Sequence, residues 1–255
     1  RLDIVRQMPE TVVLAAFLAF CRVGACFILM PGFGSARVPM QVRLFVAVGA
    51  SLALLAHLWD VIAPHASDRP GTLLLLIGSE ILIGSLIGLV ARLYVLAVQF
   101  IGTAVATMIG FGMAGGGIAI EENEPQPAVA AIISFSALML LFVLDFHHAI
   151  IEALVTSYRL APIEALFNPQ SALTDLADTL SQAFFVMIRL GSPFVAYAIL
   201  INLAFGFINK LTPQIPIYFI SLPFVIAGGL LLLYFGIGTF LALFADGFFP
   251  TTIGR

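Results

Sequence analysis

Long apolar runs, separated by short breaks that carry proline, glycine or charge, fill most of the chain. Each run is long enough to predict a buried or membrane-associated helix; the runs are Thr11–Met30, Leu44–Trp59, Leu73–Phe100, Ala128–Leu144, Pro193–Ile208 and Ile217–Ala245. Residues 170–189 instead have one polar and one apolar side, which predicts an amphipathic helix. The pattern favours an all-α fold of hydrophobic, membrane-associated helical hairpins with broken helices, in one domain over residues 1–255.

The segment from Thr103 to Pro127 departs from this pattern near the middle of the chain. It contains five glycines that each weaken a helix by about 1 kcal/mol, with methionine and phenylalanine between them. An acidic cluster follows, and Pro125 and Pro127 disfavour a return to helix. The composition favours a flexible apolar segment that fills a cavity lined by protein, although an ordinary loop between two hydrophobic hairpins remains an alternative.

Composition places the chain among membrane proteins. The 255 residues are 61% hydrophobic and 10% charged, with a mean hydropathy of +1.11, whereas soluble domains average about 45–50% apolar and about 25% charged residues. The net charge of −3 and the lack of a basic cluster in the sequence argue against a nucleic-acid partner. Cys21 and Cys26 are expected to be small buried side chains that do not form a disulfide.

Four charged residues interrupt the apolar runs: Arg22, Glu80, Arg92 and Arg189. Each would cost roughly 2.5–3.5 kcal/mol at the centre of a lipid-facing helix, so we expect them to face protein or water. Gly84 and Gly88 form a GxxxG pair, which permits close contact with another helix.

One polar constellation follows the fourth run and consists of Asp145, His148, Glu152 and Arg159. Their spacings of three, four and seven place them on one helical face. A metal site or proton relay is one interpretation. We expect a structural polar face instead, with no metal, no cofactor and no catalytic residues, because no second ligand cluster and no hydrolase, zinc-protease or phosphate-loop motif is found in the sequence.

Four stretches, in the same order along the chain, resemble the FliR family of export-gate proteins: Arg22–Gly34 with Val38, Pro39 and Arg43; Met108–Met113; His147 to Pro162; and Leu211–Pro216 onward to Pro223. FliR serves flagellar export and has an SctT-like counterpart in virulence type III secretion. The likeness covers essentially the whole chain. Glu124 stands where relatives often have Asp, and Phe146 where they commonly have Gly, which affects the predicted ends of the loop segment.

The resemblance implies a subunit without enzymatic activity or cofactors. One copy would join FliP and FliQ family subunits in a helical, multi-subunit gate of the flagellar basal body in the bacterial inner membrane. Other export-apparatus and rod proteins would be neighbours, and unfolded flagellar proteins would be the substrates.

The family's channel plug maps here onto about 107–120. Its residues would be Met108, Ile109, Gly110, Phe111, Gly112, Met113, Gly115, Gly116, Gly117 and Ile118, and its acidic hinge Glu121, Glu122, Glu124 and Pro125. Methionine adapts to irregular gaps and glycine tolerates unusual backbone angles, which suits a movable apolar seal.

Two other classes of protein remain alternatives. A multi-pass secondary transporter would also have broken helices and buried charges, but the acidic loop at 121–124 has no matching break near 209–216, as an internal repeat would require. A membrane-embedded hydrolase would need a nucleophile and a base, and only the region of His147 and His148 offers a candidate.

Overall fold

The computed structural model describes residues 2–34, 38–66, 69–111, 117–118 and 126–253. Seven α-helices make up most of this part of the chain: α1 Leu2–Leu29, α2 Met40–Ile62, α3 Pro70–Met108, α4 Ala128–Val143, α5 Phe146–Leu160, α6 Pro169–Leu211 and α7 Ile217–Ile253. Short 3-10 turns follow α2 at Ala63–His65 and α5 at Ile163–Ala165. The predicted all-α fold is confirmed.

The helices begin where the sequence places proline or a capping side chain. Pro39 and Pro127 directly precede α2 and α4. Before α6, the side-chain oxygen of Asn168 accepts a hydrogen bond of 3.0 Å from the backbone N–H of Gln170, which satisfies one free donor of the first turn. Pro169 is the first residue of that helix, a position where its missing N–H has no cost.

Two very short strands lie within the segment that follows α3. β1 (Gly117–Ile118) pairs antiparallel with β2 (Gln126–Pro127), so that Gly117 lies opposite Pro127 and Ile118 opposite Gln126. This pairing brings the far part of the glycine-rich segment back to the start of α4.

Helix α6 is longer than the sequence pattern suggested. The amphipathic segment at 170–189 and the apolar run at 193–208 were expected as separate elements, yet Pro169–Leu211 is one helix with Pro193 inside it. Proline has no N–H for the carbonyl four residues earlier. The hydroxyl of Ser192 instead donates to that Arg189 carbonyl at 3.0 Å. The helix therefore passes the proline with this acceptor satisfied.

The chain divides into two compact units, and α3, α6 and α7 contribute to both. The first unit contains α1, α2, α3 as far as Leu93, α5, α6 as far as Leu180 and the end of α7 from Phe249. Its apolar core joins α1, α2 and the end of α5 through the buried residues Ala15, Leu18, Ala19, Leu55, Leu58, Ile62, Tyr158 and Ile163.

Close contact between α1 and α3 in the first unit depends on the predicted glycine pair. A Cβ atom at Gly88 would lie 2.6 Å from the carbonyl oxygen of Cys26, and one at Gly84 would overlap the carbonyl oxygen of Arg22. The contact predicted from the GxxxG spacing is therefore present. Cys21 and Cys26 are buried and free, as expected.

The second unit contains the rest of α3 from Tyr94, then α4, most of α6 from Ser181, and α7 as far as Phe248. Tyr94 and Phe248 pack edge to face with ring centroids 5.9 Å apart. Glycine again allows helices to approach, because a Cβ at Gly247 of α7 would lie 2.8 Å from Val186 of α6. One at Gly191 would overlap Ile101.

Within the described residues, five helices are long and apolar enough to cross a membrane, judged by length and composition. Helices α4 and α5 pass the same test as a pair and would make a sixth. Asp145 lies between them in sequence and has the left-handed conformation, with φ of 56°. The chain is thus an α-helical membrane protein.

Candidate functional site

The glycine-rich segment starts at a defined helix end. The backbone N–H of Ile109 still bonds to Val105 in the α-helical manner, whereas the N–H of Gly110 bonds to Thr107. Gly110 has a φ of 90°, a conformation that glycine adopts without strain and that commonly ends helices. Helix α3 therefore includes Thr107 and Met108, and the non-helical segment begins two residues later than the predicted start at 107.

Ile109 anchors this helix end. Its side chain is fully buried, and it lies against the backbone of α7 at Gly229, where an added Cβ would overlap the Ile109 side chain. Gly110 is similarly close to α7, because a Cβ there would lie 3.2 Å from Ile226 and 3.3 Å from Leu222. The first residues of the predicted plug are thus held by the second unit.

A tyrosine of α6 contacts α7 in the same region. The Tyr197 hydroxyl donates a hydrogen bond of 2.8 Å to the carbonyl oxygen of Val225. It also occupies the space beside Gly228, where a Cβ would lie 2.5 Å from the hydroxyl oxygen. Gly228 therefore packs against Tyr197 of α6, and the adjacent Gly229 packs against Ile109, the residue directly after α3.

An open cavity of about 610 Å³ lies in the second unit beside the end of α3. Three residues of the predicted plug region, Thr107, Met108 and Gly110, form part of its wall. The remaining lining comes from α6, the turn after it and α7, and includes Asn202, Phe205, Asn209, Ser221, Leu222 and Val225. The glycine-rich segment therefore leaves α3 at the wall of a cavity with both apolar and amide-bearing residues.

Some of the other predicted plug residues lie next to Gly110 or in β1, and the rest lie outside the described residues. Phe111 is half-buried next to Gly110, and Gly117 and Ile118 form β1. Gly112, Met113, Gly115 and Gly116 lie outside the described residues, as do the hinge residues Glu121, Glu122, Glu124 and Pro125. The roles of plug and hinge stay predictions.

A buried charge network forms the polar centre of the first unit. The guanidinium of Arg22 on α1 donates two hydrogen bonds to the carboxylate of Glu80 on α3, with N–O distances of 2.8 and 2.6 Å. Both side chains are essentially inaccessible to solvent, at 0% and 1% exposure. The expectation that these two charges face protein or water is confirmed, and for both it is protein.

Helix α5 and the turn after it complete this network. Arg22 donates to the hydroxyl of Ser157 at 3.0 Å and to the carbonyl oxygen of Ala161 at 3.1 Å. Its guanidinium carbon lies 3.8 Å from the centre of the Tyr158 ring, in cation–π contact. These three partners were not found from the sequence, where serine and tyrosine in an amphipathic helix give no signal for a particular arginine. Of the other two charges, Arg92 is half-buried and Arg189 is exposed.

The predicted polar face on α5 is only partly assembled. Asp145 and His148 lie together at the start of the helix, and His147 joins them. Glu152 and Arg159 are exposed further along α5. The buried side of this helix consists of Phe146, Ala149, Ile150, Leu154, Ser157 and Tyr158.

The sequence matches a family of known proteins along most of its length. Residues 13–250 match the family model of the bacterial export proteins, family 1. The chain belongs to this family.

Relatives of the chain include flagellar biosynthetic proteins and a translocation protein. The chain is 30% identical to the flagellar biosynthetic protein FliR of Caulobacter vibrioides, with 87% of each chain covered. It is 25% identical to the flagellar biosynthetic protein FliR of Bacillus subtilis, over 86% of this chain and 84% of that one. It is 24% identical to the Yop proteins translocation protein T of Yersinia pestis, over 90% of this chain and 89% of that one.

Membership in the export family confirms the resemblance to FliR. The chain is a membrane-protein subunit of a bacterial export apparatus, which favours the export interpretation over a secondary transporter. The family match spans both structural units, since residues 13–250 include the buried network and the cavity.

Proposed function

We propose that this chain is one subunit of a closed channel for unfolded flagellar proteins in the bacterial inner membrane. It would be present in one copy, together with FliP and FliQ family subunits, and close to other export-apparatus and rod proteins. The identities with flagellar proteins support flagellar export over virulence secretion. The role is mechanical, without enzymatic activity.

The observation that carries this proposal is the anchoring of Ile109 between Met108 and Gly110, two residues in the wall of an open cavity. A channel wide enough for an unfolded chain leaks ions unless an apolar segment fills it between substrates. The segment after α3 is anchored at its start by Ile109 against Gly229 and returns to α4 through the pairing of Gly117 with Pro127. A plug in this part of the chain would remain attached at both ends.

Exposed apolar side chains support the need for partner subunits. Only 11% of the residues of the apolar span in α7 are buried within this chain, and several exposed residues there are large: Phe219, Phe224, Tyr234 and Phe235. Because lipid alone provides no preference between helices, association in a membrane depends on packing and on polar contacts. We expect the chain to purify in a complex that contains one copy of it together with other subunits. A monodisperse monomer in mild detergent would contradict the proposal.

The channel proposal is tested by shortening the segment without disturbing its two ends. Deletion of residues 112–116 leaves Ile109 and the Gly117–Pro127 pair unchanged, so the complex should assemble in normal yield. Cells that overproduce this variant should become permeable to small ions, because the apolar seal is lost. Conductance at the background level in a normally assembled complex would show that the segment is only a connector.

A matched pair of methionine substitutions separates the seal from general effects on stability. Met108→Ser introduces a hydroxyl at the cavity wall and should give a milder leak than the deletion. Met139→Ser makes the same chemical change at an exposed position of α4 and should give none. Equal leaks from the two variants would contradict the assignment of the seal to this segment.

A further inference from the structure

Three potential metal ligands converge at the start of α5. The carboxylate oxygen Oδ1 of Asp145 lies 3.7 Å from Nε2 of His147 and 3.8 Å from Nδ1 of His148. One ligand atom from each of the three residues falls within 4.8 Å of the other two. These contacts are longer than hydrogen bonds, which have typical N–O distances of about 2.7–3.2 Å. The three ligand atoms therefore lie close enough together to bind the same ion.

The backbone at Asp145 explains how neighbouring residues achieve this arrangement. Asp145 adopts the left-handed conformation directly before α5, with φ of 56° and ψ of 34°. An aspartate at this position normally accepts a hydrogen bond from an N–H of the first helical turn. The Asp145 side chain makes no such capping bond, and its carboxylate lies near the two imidazoles instead.

The accessibility of the three side chains allows an ion to enter. Asp145 and His148 are 70% and 74% exposed, and His147 is 35% exposed. Phe146, between them in sequence, is fully buried and packs edge to face on the His147 ring, with centroids 6.3 Å apart. The His147 ring is thus supported on one side, which lowers the conformational entropy that it would lose on binding.

We propose that Asp145, His147 and His148 bind one zinc ion, with water completing the coordination. Two imidazoles and one carboxylate are a ligand set that zinc accepts in proteins. Ligand atoms around a tetrahedral zinc ion lie about 3.3 Å apart, so small side-chain rotations would close the observed spacing. The sequence-based expectation of no metal considered Asp145 and His148 together with Glu152 and Arg159, and it did not include His147, which lies beside the first two in the structure.

The bound ion would link the residue before α5 to the first turn of that helix. It would thereby supply the stabilisation that the missing capping bond does not provide. The consequence would be a fixed start of α5.

Zinc binding is measured on the detergent-solubilised export complex containing the full chain, purified without a histidine tag and stripped with a chelator. Zinc is added alone, and bound metal is determined by elemental analysis after gel filtration. Affinity follows from competition with a chromophoric chelator. We expect about one zinc ion per copy of this chain, and a cobalt-loaded sample should show the visible absorption of tetrahedral coordination by nitrogen and oxygen.

Single substitutions assign the ligands. His147→Gln and His148→Gln should each weaken zinc binding by at least about tenfold. Asp145→Asn should do the same while leaving the backbone intact, because asparagine also tolerates the left-handed conformation. His57→Gln is the matched control, since His57 is exposed on α2 in the same unit and should not affect the affinity.

Two outcomes would overturn the proposal. One is a wild-type complex that retains no stoichiometric zinc. The other is zinc binding that persists unchanged in the Asp145→Asn variant and in the double variant of His147 and His148. Because the wild-type measurement requires no substitution, the proposal can be tested even if one variant fails to assemble.

Discussion

The helices within each of the two structural units are held together by a different kind of contact. In the first, a buried arginine and glutamate join three helices, and half of the residues in the apolar span of α1 are buried. In the second, glycines receive side chains from neighbouring helices, while the apolar span of α7 is only 11% buried. Contacts within the chain therefore align α1 and α3 of the first unit. In the second unit, α7 leaves most of its apolar surface for lipid or partner subunits.

This difference concerns specificity as well as stability. A buried ion pair is satisfied by one partner in one geometry, so it excludes other alignments of α1 and α3. A glycine contact depends on shape alone and loses its fit when a single methyl group is added. Substitutions in the two units should accordingly differ in size and in the way they can be rescued.

The largest effect is expected from removing one member of the buried pair. Arg22→Met leaves the Glu80 carboxylate unpaired at 1% exposure, which should destabilise the chain by about 3–5 kcal/mol. The measurement is unfolding of the detergent-solubilised complex by titration with a denaturing detergent. The double variant Arg22→Met, Glu80→Leu should recover most of this loss, because both charges are then absent. A double variant as unstable as the single would contradict the pairing argument.

A smaller effect is expected from the backbone contact in the same unit. Gly84→Ala adds a methyl group that overlaps the Arg22 carbonyl, and the helices must separate. We expect a loss of about 1–3 kcal/mol, the usual range for overpacking. Gly78→Ala is the matched control on α3, because nothing lies within 4 Å of the added Cβ. Its effect should be neutral or stabilising by up to about 1 kcal/mol. Equal losses at both positions would contradict the close packing of α1 and α3 at Gly84.

The smallest effect is expected in the second unit. Gly229→Ala overlaps the Ile109 side chain, which lies at the end of α3 and can shift more easily than a helix backbone. The loss should be about 1 kcal/mol, with a change in proteolytic cleavage of the segment after Ile109. Gly236→Ala, with open space around its Cβ, is the control on α7. A loss larger than that of Gly84→Ala would reverse the comparison between the units.

The helices and the burial of Arg22 and Glu80 could be predicted from the sequence for a clear physical reason. Apolar runs of membrane length form helices because every backbone polar group must be satisfied internally, and a charge inside such a run must find protein or water. The identity of the partner could not be predicted, because Arg22 and Glu80 lie 58 residues apart and their helices could pair in several registers.

Two local conformations also escaped prediction. Pro193 normally signals a helix boundary, but the hydroxyl of the preceding serine substitutes for the missing donor at Arg189. Asp145 was assigned to a helical face, whereas its left-handed conformation directs it to His147 and His148. In both cases the local structure depends on a single side-chain hydrogen bond or backbone conformation, which hydrophobic periodicity does not predict.

The separation of Arg22 from its partners along the chain has a consequence for the order of biosynthesis. At about 5–20 residues per second, Glu80 is synthesised roughly 3–12 s after Arg22, and Ser157 later still. During this interval α1 carries an unpaired arginine, at a cost of about 2.5–3.5 kcal/mol if it enters the bilayer alone. The third helix removes this cost only once it has been synthesised, so the first helix reaches its final packing after the third has been made.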